Sequence, residues 1–121
     1  MPRFVILRHE FSQSQQRDTH WDLMLEQQGA LRTWALASEP DAETEIAAEA
    51  LPDHRLAYLA YEGPVSGNRG SVTRWDAGEY EPLVDLPDEV LVKFRGTRLN
   101  GSGSLRRPPE HAQRWMFTFS G

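Results

Sequence analysis

Short segments in which apolar and polar residues alternate run through much of this chain, with turn residues between them. In segment 21–26 (WDLMLE) the odd-numbered residues are apolar, and polar Asp22 and Glu26 alternate with them. A period of two is that of a β-strand, whose successive side chains point to opposite faces. Segment 4–7 (FVIL) is a shorter apolar run that predicts a buried strand. Gln27-Gln28-Gly29 predicts a hairpin turn from the second strand into a third, over residues 30–36.

The rest of the chain continues this pattern of short strands and turns. Turn residues at 76–78, 86–88, 96–97 and 100–103 separate predicted strands at 71–75, 79–83, 89–95, 98–99, 104–106 and 115–119. Polar segments 11–19 and 63–70 predict loops, and segment 55–61 (RLAYLAY) predicts one more strand. Segment 41–50 (DAETEIAAEA) is rich in helix formers and predicts a short helix with Asp41 as its N-cap. We therefore expect a mainly β fold, a small closed β-barrel of about eight short strands flanked by one or two short helices.

Composition limits the chemistry. The 121 residues suit a single domain, 1–121, with 39% apolar and 26% charged side chains, as in globular proteins. The absence of cysteine excludes disulfides, a thiol nucleophile and cysteine-based metal sites. No apolar run approaches the ~18 residues of a membrane-spanning helix, and residues 1–7 do not suit a signal peptide. We expect a cytoplasmic protein that has no membrane partner.

The formal net charge of -5 is unevenly distributed. Residues 1–89 carry 7 basic and 17 acidic side chains, whereas residues 90–121 carry 6 basic and 1 acidic. An acidic chain is not a general nucleic-acid binder, because phosphate affinity depends on lysine and arginine. The basic C-terminal segment can still hold one strand or one strand end, or it can serve only as a solvated surface.

The pattern His20-Trp21-Asp22 points to a metal site. Residues i and i+2 of a strand share a face, so His20 and Asp22 project side by side, and an imidazole and a carboxylate so placed can bind one divalent metal. His9 ends the first predicted strand, and if that strand neighbours the second, His9 completes a set of two histidines and one carboxylate. A histidine next to an acid on the surface is the ordinary alternative. His54, with Tyr58 four residues later, is a further candidate.

Beyond these residues, the chain resembles the 3′-phosphoesterase module found at the N-terminus of bacterial DNA ligase D proteins and as a free-standing protein. The resemblance covers nearly the whole chain as an ordered series of motifs. They are FVILRH (4–9), HWDLMLE (20–26), GALRTWAL (29–36), DHRLAY (53–58), YEG (61–63), GSVTRWDAGEYEP (70–82), VKFRG (92–96), LNG (99–101) and RW (114–115).

The resemblance implies a small closed β-barrel that uses Mn²⁺ or a similar divalent ion to trim nucleic-acid 3′ ends. Such modules remove a terminal ribonucleoside and then the remaining 3′-phosphate. The metal ligands of the family fall on His9, His20 and Asp22, and the histidine and tyrosine that face the phosphate fall on His54 and Tyr58. His20, His54 and Tyr58 are therefore the implied catalytic residues, and a ligase or polymerase acting in trans is an implied partner.

The chain departs from the family on the cationic side of the site. In the ligase modules an arginine that contacts phosphate follows the metal-binding aspartate by two residues, and Met24 occupies that position here. On a strand, Met24 shares the face of Asp22. Two other readings therefore stay open: a non-catalytic module of DNA repair that binds a metal and a nucleic-acid end, and an iron-dependent oxygenase using the same ligands.

Overall fold

The protein folds almost entirely into β-strands. A computed structural model describes residues 1–11, 18–41, 44–67 and 69–121, so most of the predicted loop 11–19 and residue 68 of the predicted loop 63–70 lie outside it. One short 3₁₀ helix, Leu56–Leu59, is present in the described residues, and no helix there is long and apolar enough to cross a membrane. The strands are β1 Arg3–Glu10, β2 His20–Gln27, β3 Ala30–Leu36, β4 Ile46–His54, β5 Gly63–Pro64, β6 Ser71–Leu86, β7 Glu89–Gly96, β8 Asn100–Arg106 and β9 Arg114–Ser120.

Hydrogen bonding between neighbouring strands runs in a ring. The order is β1-β2-β3-β4-β9-β8-β7-β6, and β1 pairs with β6 as well as with β2, which joins the two ends. All of these pairings are antiparallel, and the two-residue strand β5 is added outside the ring on β6. The prediction of a mainly β fold is confirmed, with nine strands among the described residues and with one 3₁₀ helix in place of the flanking helices.

The turn between β2 and β3 has the backbone that the sequence predicts. Gln28 has φ 50° and Gly29 has φ 81°. A two-residue hairpin with both central residues at positive φ matches the right-handed twist of the flanking strands. This turn sets the register of β2 against β3, in which Asp22 faces Ala35 and Met24 faces Thr33.

Two apolar clusters lie on opposite faces of the β1–β2 wall. All eight ring strands contribute to the larger cluster, which fills the interior. Its largest fully buried members are Phe4, Trp34, Tyr80, Phe94 and Phe117. The smaller cluster lies on the outer face and consists of Val5, Leu7, Met24, Leu31 and Val72. The alternation in β2 thus separates the two faces as predicted, with Leu23 and Leu25 inside and Met24 outside.

The 3₁₀ helix covers the outer cluster. Its residues Leu56, Tyr58 and Leu59 pack against that cluster, and Val65 packs there too. The prediction of a strand over residues 55–61 is wrong for this reason. A strand continuing β4 would leave Leu56 and Leu59 without this apolar surface to bury against, whereas one helical turn places both over it.

The helix predicted over residues 41–50 is wrong as well. Ile46 begins β4, which pairs with β3 on one side and β9 on the other; residues 42–43 lie outside the described residues. Ile46 and Ala48 point into the core while Ala47 and Glu49 are exposed, a period of two hidden among residues of high helix propensity. Pairing on both edges outweighs a propensity of a few tenths of a kcal/mol per residue.

Two predicted turns are strand instead. Strand β6 runs unbroken through Asp76-Ala77-Gly78, because this stretch pairs with β1 through Ile6, Val5 and Phe4. A bulge at Trp75 takes up the extra residue, since Ile6 pairs with Asp76 and Leu7 with Arg74. Further along the chain, residues 97–99 connect β7 to β8, so the strand predicted over 98–99 is wrong. β8 begins at Asn100, so the turn predicted over 100–103 is wrong too.

Candidate metal centre

Strand pairing brings the three predicted metal ligands together. In the β1–β2 register His9 lies opposite His20, and Leu7 lies opposite Asp22. His9 and Leu7 share a face, as do His20 and Asp22, so all three polar side chains project beside the outer cluster. Within the described residues, these two histidines and one aspartate form a set whose possible ligand atoms all lie within 4.8 Å of one another.

The polar atoms of the triad lie in direct contact with one another. Asp22 lies between the two imidazoles, with Oδ2 3.1 Å from His9 Nδ1 and Oδ1 3.0 Å from His20 Nε2. The imidazole rings have centroids 4.8 Å apart at 60°. Two imidazole nitrogens and a carboxylate oxygen are donors that divalent transition metals accept.

The position of one proton on His9 follows from its partners. His9 Nε2 donates a hydrogen bond of 2.7 Å to the backbone carbonyl oxygen of Arg69, which can only accept. In neutral His9 the other nitrogen, Nδ1, then carries a lone pair, and it faces a carboxylate oxygen of Asp22. Two facing lone pairs require a cation between them or beside them, either a proton or a metal ion. The Arg69 carbonyl thus aims His9 Nδ1 at the centre of the triad.

Asp22 supplies a second sign of an incomplete shell. The side chain is 4% exposed, and its Oδ1 has no hydrogen-bond partner among the described residues although His20 Nε2 is 3.0 Å away. A buried carboxylate oxygen in that state costs free energy unless a cation satisfies it. Burial by itself raises the pKa of the Asp22 carboxyl, but the imidazoles of His20 and His9 more than offset it and hold this pKa below the ordinary value.

Two neighbours of the triad were missed by the sequence analysis. Phe11 stacks on His9 with ring centroids 4.3 Å apart and lies 5.5 Å from the His20 ring, so it walls one side of the site. Its position directly after the strand that carries His9 was the available signal. The Arg69 carbonyl left no signal, because a backbone group acts there and 60 residues separate it from His9.

His54 and Tyr58, the other predicted site residues, form a pair of their own. Their rings are 5.6 Å apart at 76°, and His54 Nδ1 donates to the Pro52 carbonyl oxygen over 3.0 Å. Tyr58 packs on the outer cluster, which includes Leu7, so this pair and the metal triad occupy the same face of the β-sheet. Their part in a reaction stays a prediction.

Met24 lies on the predicted face but not at an open surface. It is 1% exposed and packs within the outer cluster, beneath the 3₁₀ helix. Met24 follows Asp22 by two residues on β2. Two residues further along β2, Glu26 pairs with Leu31 of β3, and Leu31 pairs with His54 of β4. The position at which the family resemblance implies an arginine is thus occupied here by a buried apolar side chain.

A wide cleft opens beside the triad. It has a volume of about 900 Å³, and His20 is among the residues that line it. Alanines of β3 and β4 line it, together with charged or polar residues, among them Asp18, Glu49, His111 and Arg114. A volume of this size is ample for several groups of an extended ligand. His20 is the one member of the triad that lines this cleft.

Comparison with protein families gives a match across most of the chain. The model of the DNA ligase D 3′-phosphoesterase domain matches residues 10–107. The matched range begins one residue after His9 and contains His20, Asp22, His54 and Tyr58.

Similar chains are found within larger proteins of non-homologous end joining. The chain is 33% identical over 122 residues to the multifunctional non-homologous end joining protein LigD of Mycobacterium bovis, covering 93% of this chain and 15% of that protein. The corresponding protein of Pseudomonas aeruginosa is 32% identical over 116 residues, covering 87% of this chain and 13% of that protein. The chain therefore spans about a seventh of the length of these relatives.

Proposed function

Because the chain belongs to the DNA ligase D 3′-phosphoesterase domain family, we propose that it is a metal-dependent phosphoesterase of nucleic-acid 3′ ends. Its substrates are strands that end in a ribonucleotide or a 3′-phosphate. The observation that carries the proposal is that His9, His20 and Asp22 lie together, and that the buried Asp22 Oδ1 lacks a hydrogen-bond partner among the described residues.

The three clustered side chains hold the metal in this proposal. His9 Nδ1, His20 Nε2 and a carboxylate oxygen of Asp22 are the ligand atoms, and Mn²⁺ is the ion that the family resemblance favours. A divalent ion held there supplies a Lewis acid for a phosphoryl oxygen. The Arg69 carbonyl keeps His9 in the tautomer that points a lone pair inward.

His54 and Tyr58 act on the phosphate in this proposal. The hydrogen bond from His54 Nδ1 to Pro52 leaves Nε2 to accept a proton or, when protonated, to donate one to phosphate or to a leaving group. The Tyr58 hydroxyl is a donor that can orient the same oxygens.

Primer trimming tests the proposal. Purified protein is incubated with Mn²⁺ and a DNA primer that ends in one ribonucleotide, or in a 3′-phosphate, and the products are resolved on a denaturing gel. We expect the wild type to shorten the first primer and dephosphorylate the second, and Asp22→Asn to lower both rates by about a hundredfold or more, the equivalent of ~3 kcal/mol. The matched control is Asp88→Asn, which makes the same change at an exposed turn residue outside the triad and the cleft. Loss of activity in that control would place the chemistry elsewhere.

A non-catalytic module that binds metal and a nucleic-acid end is the second candidate. The observation in its favour is the buried Met24 thioether at a position where the ligase modules carry an arginine. Mn²⁺ binding by the wild type without release of phosphate from either primer would support this candidate over the enzyme.

The cellular setting is also part of the proposal. The relatives named above are proteins of non-homologous end joining, so a ligase or polymerase is the expected partner of this chain, either in trans or on the same polypeptide. Broken DNA in a bacterium lies in the cytoplasm, which is where we place the protein.

A further inference from the structure

Tyr61 is an exposed aromatic residue next to the pair formed by His54 and Tyr58. Its ring centroid lies 5.6 Å from that of Tyr58 at 85°, and the Tyr58 centroid lies 5.6 Å from that of His54 at 76°. The three rings therefore form a row that ends at Tyr61, which is 37% exposed. Because the two tyrosine rings meet edge to face, Tyr58 leaves at least one face of the Tyr61 ring uncovered.

The hydroxyl end of Tyr61 is fastened to the sheet. The hydroxyl donates a hydrogen bond to the carbonyl oxygen of Pro64, and a Cβ at Gly63 would lie 3.2 Å from it. These two residues form β5, in which Gly63 pairs with Val72 of β6, and Val72 pairs in turn with His9. Two strand spacings of ~4.8 Å, about 10 Å in all, therefore separate the backbone of β5 from that of His9. The ribose and base of a single nucleotide can span such a distance.

The Tyr61 ring lines a small cavity beside the 3₁₀ helix. The cavity has a volume of about 210 Å³, below the ~300 Å³ at which sites for drug-sized ligands begin, so it suits one flat ring system rather than a whole nucleotide. Polar groups of its lining already have partners, since the Tyr61 hydroxyl is bonded to Pro64, and Ser66 accepts from Arg69 through its carbonyl oxygen and Oγ. The lining therefore offers mainly tyrosine and proline rings, with Arg55 as its charged residue.

We propose that this cavity seats the base of the strand's 3′-terminal nucleotide, stacked on the Tyr61 ring. A base presents a flat π surface, and stacking on it needs no free hydroxyl on the tyrosine. The guanidinium of Arg55 can stack on the same base or donate to its ring nitrogens and carbonyl oxygens. Because every base has a π face, this contact responds to the presence of a base more than to its identity.

The order of these side chains follows the order of groups in a strand end. In the proposed function the phosphate lies at His54 and Tyr58, and the row of rings continues from Tyr58 to Tyr61. The nucleoside beyond that phosphate brings its base to the end of the row. The inference thus deepens the proposed function and rests on it for the identity of the strand end.

Strand-end binding without metal tests this inference separately from catalysis. The probes are two DNA oligonucleotides of one sequence that end in a ribonucleotide, one with adenine as the terminal base and one with an abasic terminal ribose. Fluorescence anisotropy measures their affinities in EDTA. The wild type should bind the adenine-ended probe about fivefold more tightly or better, the equivalent of ~1 kcal/mol of stacking. Tyr61→Leu should abolish this preference, and Tyr61→Phe, which keeps the ring, should retain most of it. Leu86→Ala, which removes an exposed apolar side chain of β6, is the control and should leave it unchanged.

Affinity for the abasic probe separates stacking from a structural role of Tyr61. Because Tyr61 contacts Tyr58, a displaced 3₁₀ helix would weaken the binding of both probes, whereas loss of stacking weakens the binding of the adenine-ended probe alone. An equal loss for both probes in Tyr61→Leu would therefore overturn the inference. Equal affinities of the wild type for the two probes, or no measurable affinity for either, would overturn it as well. Absence of turnover in the primer assay with Mn²⁺, with the preference for the adenine-ended probe intact, would instead contradict the proposed function.

Discussion

Met24 shows how one residue can keep its place in a pattern and change its chemistry. It points to the same side of β2 as Asp22, but it lies within an apolar cluster against which Tyr58 and Leu56 pack. A side chain in that setting contributes by filling volume, and a cation there would lack a partner among the residues of that cluster.

Met24→Arg is expected to destabilise the protein rather than restore a phosphate contact. Burying an unpaired guanidinium, or pushing the 3₁₀ helix aside to expose it, should cost about 3 kcal/mol or more of the free energy of unfolding. Urea denaturation monitored by tryptophan fluorescence measures this, with Met24→Leu as a volume-conserving control that costs less than about 1.5 kcal/mol. A Met24→Arg protein as stable as the wild type, with higher phosphoesterase activity, would show that the guanidinium reaches the phosphate.

Glu26 gives a prediction about pH. The side chain and backbone amide of Arg3 donate three hydrogen bonds to its carboxylate, at 2.9, 3.2 and 2.9 Å, and these hold the pKa of Glu26 below its ordinary value of 4.5. A carboxyl with a lowered folded-state pKa stabilises the fold above its unfolded pKa and loses that contribution as the pH falls through the folded value.

The wild type should therefore exceed Glu26→Gln in stability at neutral pH, and the gap should close as the pH falls below about 4.5. The difference stays small, about 1 kcal/mol or less, because the pair lies at the surface. Urea midpoints of both proteins between pH 3 and pH 7 measure it, with Glu110→Gln as an exposed control. A gap independent of pH would mean that ionisation of Glu26 contributes nothing.

At the scale of elements, Asp76 organises the connection between β7 and β8. The buried carboxylate accepts hydrogen bonds from the backbone amides of Ala77, Thr97, Arg98 and Leu99 at 2.9 to 3.2 Å. Gly96 makes room for it, since a Cβ there would lie 2.5 Å from Asp76 Oδ2. The sequence predicted that Asp76 itself forms a turn. In the structure Asp76 lies within β6 and stabilises the turn between β7 and β8.

Asp76→Ala is expected to lower the free energy of unfolding by about 3 kcal/mol, because it leaves several amides without an acceptor. Asp76→Asn should lose less, since its amide oxygen still accepts. Asp88→Ala, at the exposed turn between β6 and β7, is the control and should change little. Urea denaturation midpoints measure these differences. Equal midpoints for Asp76→Ala and Asp88→Ala would contradict the role of Asp76 in stabilising the turn between β7 and β8.

At the scale of the whole molecule, the candidate metal centre and the basic part of the chain lie on different walls of the ring. The triad belongs to β1 and β2, whereas the excess of positive charge after residue 90 lies largely on β7, β8 and β9. The ring joins these walls through hydrogen bonds on both sides. Ligand binding at the triad should therefore raise the free energy of unfolding of the whole domain.

Mn²⁺ should therefore raise the melting temperature of the wild type, by mass action on the folded state. At a free concentration a hundredfold above Kd the gain is about 2.7 kcal/mol, which for a domain of this size amounts to a rise of order 10 °C. EDTA should reverse the rise, His20→Ala should abolish it, and His111→Ala should keep it. Differential scanning calorimetry measures all four, and an undiminished response in His20→Ala would exclude this site.

The sequence by itself determined the features that follow from local periodicity. Alternation in residues 21–26 predicted β2 and its two faces, the Gln28-Gly29 turn predicted the hairpin, and the spacing of His20 and Asp22 placed both on one face. Tertiary structure decided the rest, because strand pairing is not local. The β1–β2 register brought His9 to His20, pairing with β3 and β9 made residues 46–54 a strand despite their helix propensity, and an apolar surface turned residues 56–59 into a 3₁₀ helix. The carbonyl of Arg69 and the burial of Met24 depend on contacts between residues far apart in the chain, to which no pattern within one segment is sensitive.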